Sequence, residues 1–70
     1  MSRWPSIKAK SLYRALLRLG WQLKRQRGSH RILARDGWPD YLFAFHDSVE
    51  VGAAAVAEVA KSTGLTPGDL

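Results

Sequence analysis

His30 and His46 are the only imidazoles in this 70-residue chain, and cysteine is absent. Thiolate nucleophiles, disulfides and thiolate metal sites are therefore excluded. A histidine exchanges a proton near neutral pH and can serve as a general base. His30 stands in a cationic stretch: Lys24-Arg25-Gln26-Arg27-Gly28-Ser29 precedes it and Arg31 follows. Cations at that density can hold a phosphodiester, and RNA brings its own nucleophile, the 2′-hydroxyl. One base beside a positive cradle is then enough to promote RNA cleavage without a metal. On local pattern alone, a plain strand residue beside a turn is the simpler reading of His30. The polar end of an aromatic strand is the simpler reading of His46. His46-Asp47 is a single adjacent pair, too few ligands for a metal site. No glycine-rich phosphate loop is present, since Gly28 stands alone. Asp36, Asp40, Asp47 and Glu50 fall in turns and connections, at spacings that do not require any two to meet.

Charge is unevenly spread. Residues 1–35 hold ten of the eleven lysines and arginines and no acid, whereas residues 36–70 hold Lys61 and all six acids. The halves carry +10 and −5, which make up the net +5. Such asymmetry suggests a basic face for a polyanion, although a solvated basic surface accounts for it equally well. Attraction to phosphate confers neither sequence preference nor chemistry. Apolar residues make up 46% of the chain, which excludes compositional disorder. No segment is apolar for long enough to span a membrane. The start, Met1-Ser2-Arg3-Trp4-Pro5, lacks a signal core, so a cytoplasmic protein is expected. The length allows one domain, 1–70, with a core over about 6–66.

The elements that must position these residues follow from periodicity. Leu12, Leu16 and Leu19, with Ala15, form the stripe of a helix from about Lys8 or Ala9 to Leu19. Lys10, Arg14 and Arg18 make a cationic ridge on another side. Ser6 is a candidate cap, and Gly20 ends the helix. Trp21 to Gln26 alternates as a half-buried strand, with Trp21 and Leu23 on one face and Gln22, Lys24 and Gln26 on the other. Arg27-Gly28-Ser29 supplies a turn. His30 to Arg35 is a second strand whose buried side is open: His30, Ile32 and Ala34 share one face, Arg31, Leu33 and Arg35 the other. After the Asp36-Gly37 turn, Pro39 discourages pairing, and Tyr41 to Phe45 is a third strand. His46 to Val51 reads as a connection. Gly52 to Thr63 is a second helix, with Ala53, Val56, Val59 and Ala60 inward, ended by Gly64 with Leu65 folding back. Thr66 to Leu70 reads as a loose tail or the start of a short helical turn. The fold class is α+β in the order α-β-β-β-α. A three-stranded antiparallel sheet carries two helices on one face and leaves the other open, as in the double-stranded RNA-binding domain.

The stretch from Leu16 to His30, Leu-Leu-Arg-Leu-Gly-Trp-Gln-Leu-Lys-Arg-Gln-Arg-Gly-Ser-His, closely resembles the HicA (YcfA-like) toxin family. That family has a leucine-rich helix ending in Gly-aromatic and a strand ending in Arg-Gln-(Lys/Arg)-Gly-Ser-His. The likeness runs over about residues 6–66. Phe45 stands where the family often has a proline before His46, and Ala53-Ala54 stands where Thr-Leu is usual. The resemblance implies a fold similar to the double-stranded RNA-binding domain and a ribosome-independent, mRNA-cleaving toxin. It also implies a HicB-like antitoxin protein that covers the active site. The residue matching His30 is the family's catalytic histidine. Lys24, Arg25, Arg27, Gly28, Ser29 and Arg31 are then candidate RNA contacts, with Ser29 also a candidate to orient His30. No cofactor, metal or membrane is implied. Two other readings use the same residues: a non-catalytic RNA-binding module of this fold, and a protein-interaction domain whose basic surface docks an acidic partner.

Overall fold

The computed structural model describes residues 3–70, and Met1 and Ser2, at the start of the expected 1–70 domain, lie outside the described residues. Chain order is β1 (Ile7–Lys8), α1 (Ala9–Leu19), β2 (Gln22–Arg27), β3 (His30–Arg35), β4 (Trp38–Phe43), β5 (Glu50–Val51), α2 (Ala53–Thr63) and a 3₁₀ turn (Pro67–Asp69). The antiparallel sheet has the order β2-β3-β4, and the two helices cover one of its faces, as the apolar patterning requires.

The helix α1 buries Ala9, Leu12, Ala15 and Leu16. Its cap differs from expectation. Lys8, not Ser6, is the N-cap, and no side chain bonds the first turn. The amides of that turn, which have no partner within the helix, find backbone partners instead: Ala9 N donates to Val49 O at 2.8 Å and Lys10 N to Asp47 O at 3.2 Å. The segment read as a plain connection is therefore structural. It also contributes Glu50–Val51, which pairs antiparallel with Ile7–Lys8 in a second, two-stranded sheet. Helix α2 buries Val56, Val59, Ala60 and Thr63 and ends at Gly64 in the left-handed conformation, φ 76°. Leu65 packs back and is buried. The tail is ordered: Thr66 and Asp69 form a reciprocal capping box over the 3₁₀ turn. Arg18 Nη2 donates to Asp69 O at 3.3 Å, holding that turn against the end of α1.

The core gathers Leu12, Leu16, Trp21, Leu33, Phe43, Val51, Val56 and Leu65 between the sheet and the helices. Trp21 is its anchor. The side chain is 1% exposed, its indole Nε1 donates to Thr63 O at 3.1 Å, and its ring meets Trp38 and Tyr41 edge-on, centroids 5.9 and 6.3 Å apart. Strand β4 starts three residues earlier than the aromatic alternation suggests and ends at Phe43. Pro39 is accommodated because β4 is an edge strand, where a missing ladder donor costs least. A register shift between Leu33 and Arg35 brings Trp38 opposite Arg35, on the helix side. There Trp38 lies so close to Gly64 that a Cβ would fall 2.7 Å from the indole.

Candidate functional site

One irregularity decides which cations share a face with His30. Leu23 pairs with Leu33, but the next paired residue, Arg25, pairs with Ile32, so Lys24 is an extra residue in β2. Such a bulge reverses which side the following side chains take. The simple alternation would have put Arg25 on the Trp21 side. With the bulge, Arg25 is opposite Ile32 and Arg27 opposite His30, and direct cross-strand partners project to the same face. Leu33 is fully buried under the helices, so its neighbours Ile32 and Ala34 face the other way. Arg25, Arg27, His30 and Ile32 therefore share the uncovered face, joined by Leu42 opposite Ile32 on β4. Leu23 does not share the burial of Trp21; it is 44% exposed at the sheet edge.

These side chains line a depression of about 550 Å³ on the open face, formed by Arg25, Arg27, His30, Ile32 and Leu42 and bordered by Gln26, which pairs with Arg31. His30 is exposed there, beside the two-residue turn Gly28–Ser29. Gly28 has φ 59°, a left-handed value that lets the hairpin close with glycine at the first central position. Gln26 Nε2 donates to Gly28 O at 3.0 Å and braces the turn.

The remaining expected residues are placed elsewhere. Gly28 and Ser29 line a second depression with Arg31, Phe45, His46 and Asp47, of about 380 Å³. Arg31 faces the helices. Its guanidinium lies 4.3 Å from the Tyr13 ring centroid, Nη1 donates to Asp47 Oδ1 at 2.9 Å, and the side chain is only 14% exposed. Arg31 is thus engaged in tying the 44–49 segment to the hairpin and α1. The hydrogen bond from Arg31 and then its charge, reinforced by Lys10 and Arg14, hold the Asp47 carboxyl below the usual carboxylate range. Lys24 Nζ reaches Asp40 Oδ2 at 2.7 Å in an exposed ion pair. The structure thus brings Arg25, Arg27 and His30 together, and sets Lys24 and Arg31 apart from them. His30 and His46 line different depressions. Among the described residues, no three His, Asp or Glu side chains converge to hold a metal ion. Ile32, Leu42 and Gln26 escaped sequence reasoning. Ile32 was already on the His30 side by alternation, and only the register could add Leu42.

Fold and site together define a class: a small α+β protein with two helices on one sheet face and, on the other, a histidine among arginines. The family model of the HicA toxin of bacterial toxin–antitoxin systems matches residues 9–65, and the chain belongs to that family. Membership implies an antitoxin partner. No curated protein and no solved structure gives a significant match. Among the described residues, no helix is long and apolar enough to cross a membrane.

Proposed function

We propose that this chain is a ribosome-independent mRNA endonuclease, the toxin of a pair restrained by a HicB-like antitoxin in the cytoplasm. The observation that carries this reading is the grouping of His30 with Arg25 and Arg27 on the open face. The two guanidinium groups are always charged and suit phosphate recognition. They hold the RNA backbone and oppose the negative charge that builds on the phosphate as it reacts. The His30 imidazole, acting as the general base, takes the proton of the ribose 2′-hydroxyl. The 2′-oxygen then bonds to the adjacent phosphorus, the bond from phosphorus to the 5′-oxygen breaks, and that oxygen takes a proton from solvent. The nucleophile belongs to the substrate, so the scheme requires no metal. Ser29, at the turn, and Lys24, once released from Asp40, are secondary phosphate contacts. Arg31 serves by tying the 44–49 segment to the hairpin.

The test compares purified protein acting on RNA and on DNA of the same sequence, with EDTA present. RNA is expected to be cut and DNA left whole, because DNA lacks the 2′-hydroxyl. Added antitoxin is expected to suppress the cutting. Equal cutting of DNA would overturn the mechanism. Binding of RNA without cutting would leave a binding module of the same fold.

A further inference from the structure

We infer that the depression beside His30 is a nucleobase subsite, with Ile32 and Leu42 as the floor for one unstacked base of single-stranded RNA. The inference rests on the RNA reading above and adds the form of RNA recognised. Leu42 is 48% exposed, the most exposed large hydrophobic residue among those described. It stands directly opposite Ile32 in the β3–β4 register, so the two aliphatic side chains adjoin on the side away from the helices. Arg25 and Arg27 flank them, and His30 closes the same depression.

Phosphate gains nothing from an aliphatic floor, and leaving that floor against water costs free energy that a covering apolar face recovers. A nucleotide matches both parts: its base has an apolar face, and its phosphates match the arginine rim. Single-stranded RNA offers splayed bases whose faces pack against apolar side chains and arginine planes. A duplex offers none, because its base faces are buried in the stack and it presents backbone and groove edges. The volume of about 550 Å³ lies within the range of small-molecule sites. Because His30 shares the depression, the docked base belongs to a nucleotide next to the cut bond. This subsite therefore selects unpaired segments of a message and positions the 2′-hydroxyl against the imidazole.

The experiment measures fluorescence anisotropy with labelled 2′-O-methyl oligoribonucleotides, which cannot be cut, as a single strand and as a duplex of equal length. The parent protein is expected to prefer the single strand. Leu42→Ser is expected to weaken single-strand binding about five- to tenfold, leaving duplex binding and the salt dependence unchanged. Leu42→Thr, which suits a strand better, keeps the comparison valid should the serine variant melt early. Arg25→Gln is expected to weaken both forms and to flatten the salt dependence. Unchanged single-strand binding in both Leu42 variants, with Arg25→Gln still weakened, would overturn the subsite and leave the RNA reading standing. Equal weakening of strand and duplex would also overturn it. Failure of the parent to bind either RNA would overturn both readings. Loss of antitoxin binding with RNA binding intact would assign the floor to the protein partner and overturn the subsite.

Discussion

His30→Ala is expected to lower the rate of RNA cleavage by at least about 100-fold, toward the 10²–10⁴ range that one positioned acid–base group contributes. Melting temperature and RNA affinity are expected to stay close to those of the parent. His30 is exposed on the open face, and substitution of an exposed residue usually changes stability by no more than about 0.5 kcal/mol. In the proposed scheme phosphate attraction comes from Arg25 and Arg27, which the substitution leaves in place. The combination matters, because a merely structural histidine would lower melting temperature and activity together. Single-turnover cleavage, a thermal melt and an anisotropy titration on the same preparation separate the cases. A variant that cuts as fast as the parent would remove His30 from the chemistry. His46→Ala provides the contrast. His46 lines the other depression, with Gly28, Ser29 and Asp47, and its loss is expected to be much milder.

The largest effect on stability is expected from Trp21→Ala. Trp21 is the largest side chain in the core, and its indole N–H is bonded to the carbonyl of Thr63 near the end of α2. Thr63 is itself buried and donates its hydroxyl to Val59 O at 2.8 Å. Truncation opens a cavity and leaves a carbonyl without its donor. Removing a buried tryptophan costs about 3–5 kcal/mol. A 70-residue chain has roughly 4–10 kcal/mol of total stability, so this variant is expected to be largely unfolded at 37 °C without its antitoxin. Trp21→Phe keeps part of the packing but loses the N–H and the second ring, and is expected to cost about 1–3 kcal/mol. Urea denaturation followed by circular dichroism measures both. A midpoint for Trp21→Ala equal to that of the parent would contradict the role assigned to this side chain. Both variants also bear on the site, since Trp21 fixes the start of β2 and therefore the strand that presents Arg25 and Arg27.

Much of the fold was legible because helices announce themselves by periodicity. The leucine stripe of α1, the valines of α2, and the glycines at 20 and 64 set the helix bounds to within a residue. Gly28 marked the hairpin turn. The bulge at Lys24 left no such mark. No glycine or proline stands there, and the apolar alternation of Trp21 and Leu23 gives way to the all-polar Lys24-Arg25-Gln26-Arg27 just where the pairing slips, so no pattern marks which way the later side chains face. That slip moved Arg25 and Arg27 to the face of His30. Strands β1 and β5 are two residues each, too short for any period to show. Ser6 looked like a cap because its type is right for one, whereas the backbone carbonyls of Asp47 and Val49 fill that role from the far side of the chain. The start of β4 was hidden by Pro39, which disfavours a central strand but not an edge.

The site was legible only in part for the same reason. His30 stood out through the Gly-Ser-His triplet and its charged surroundings. Arg31 looked equivalent to Arg25 and Arg27 by charge, yet the pleat turns it to the helix side, onto Tyr13 and Asp47. The pairing of Ile32 with Leu42 depends on strand register, which no local pattern carries.

The most direct measurement of the central claim, that His30 turns the substrate's own 2′-hydroxyl into the nucleophile, is the chemical identity of the ends left at the cut. Mass spectrometry of a short RNA cut by the purified protein in EDTA is predicted to show a 2′,3′-cyclic phosphate on one fragment and a 5′-hydroxyl on the other. A 3′-hydroxyl paired with a 5′-phosphate would mean that water attacked from outside the RNA, and would contradict the account.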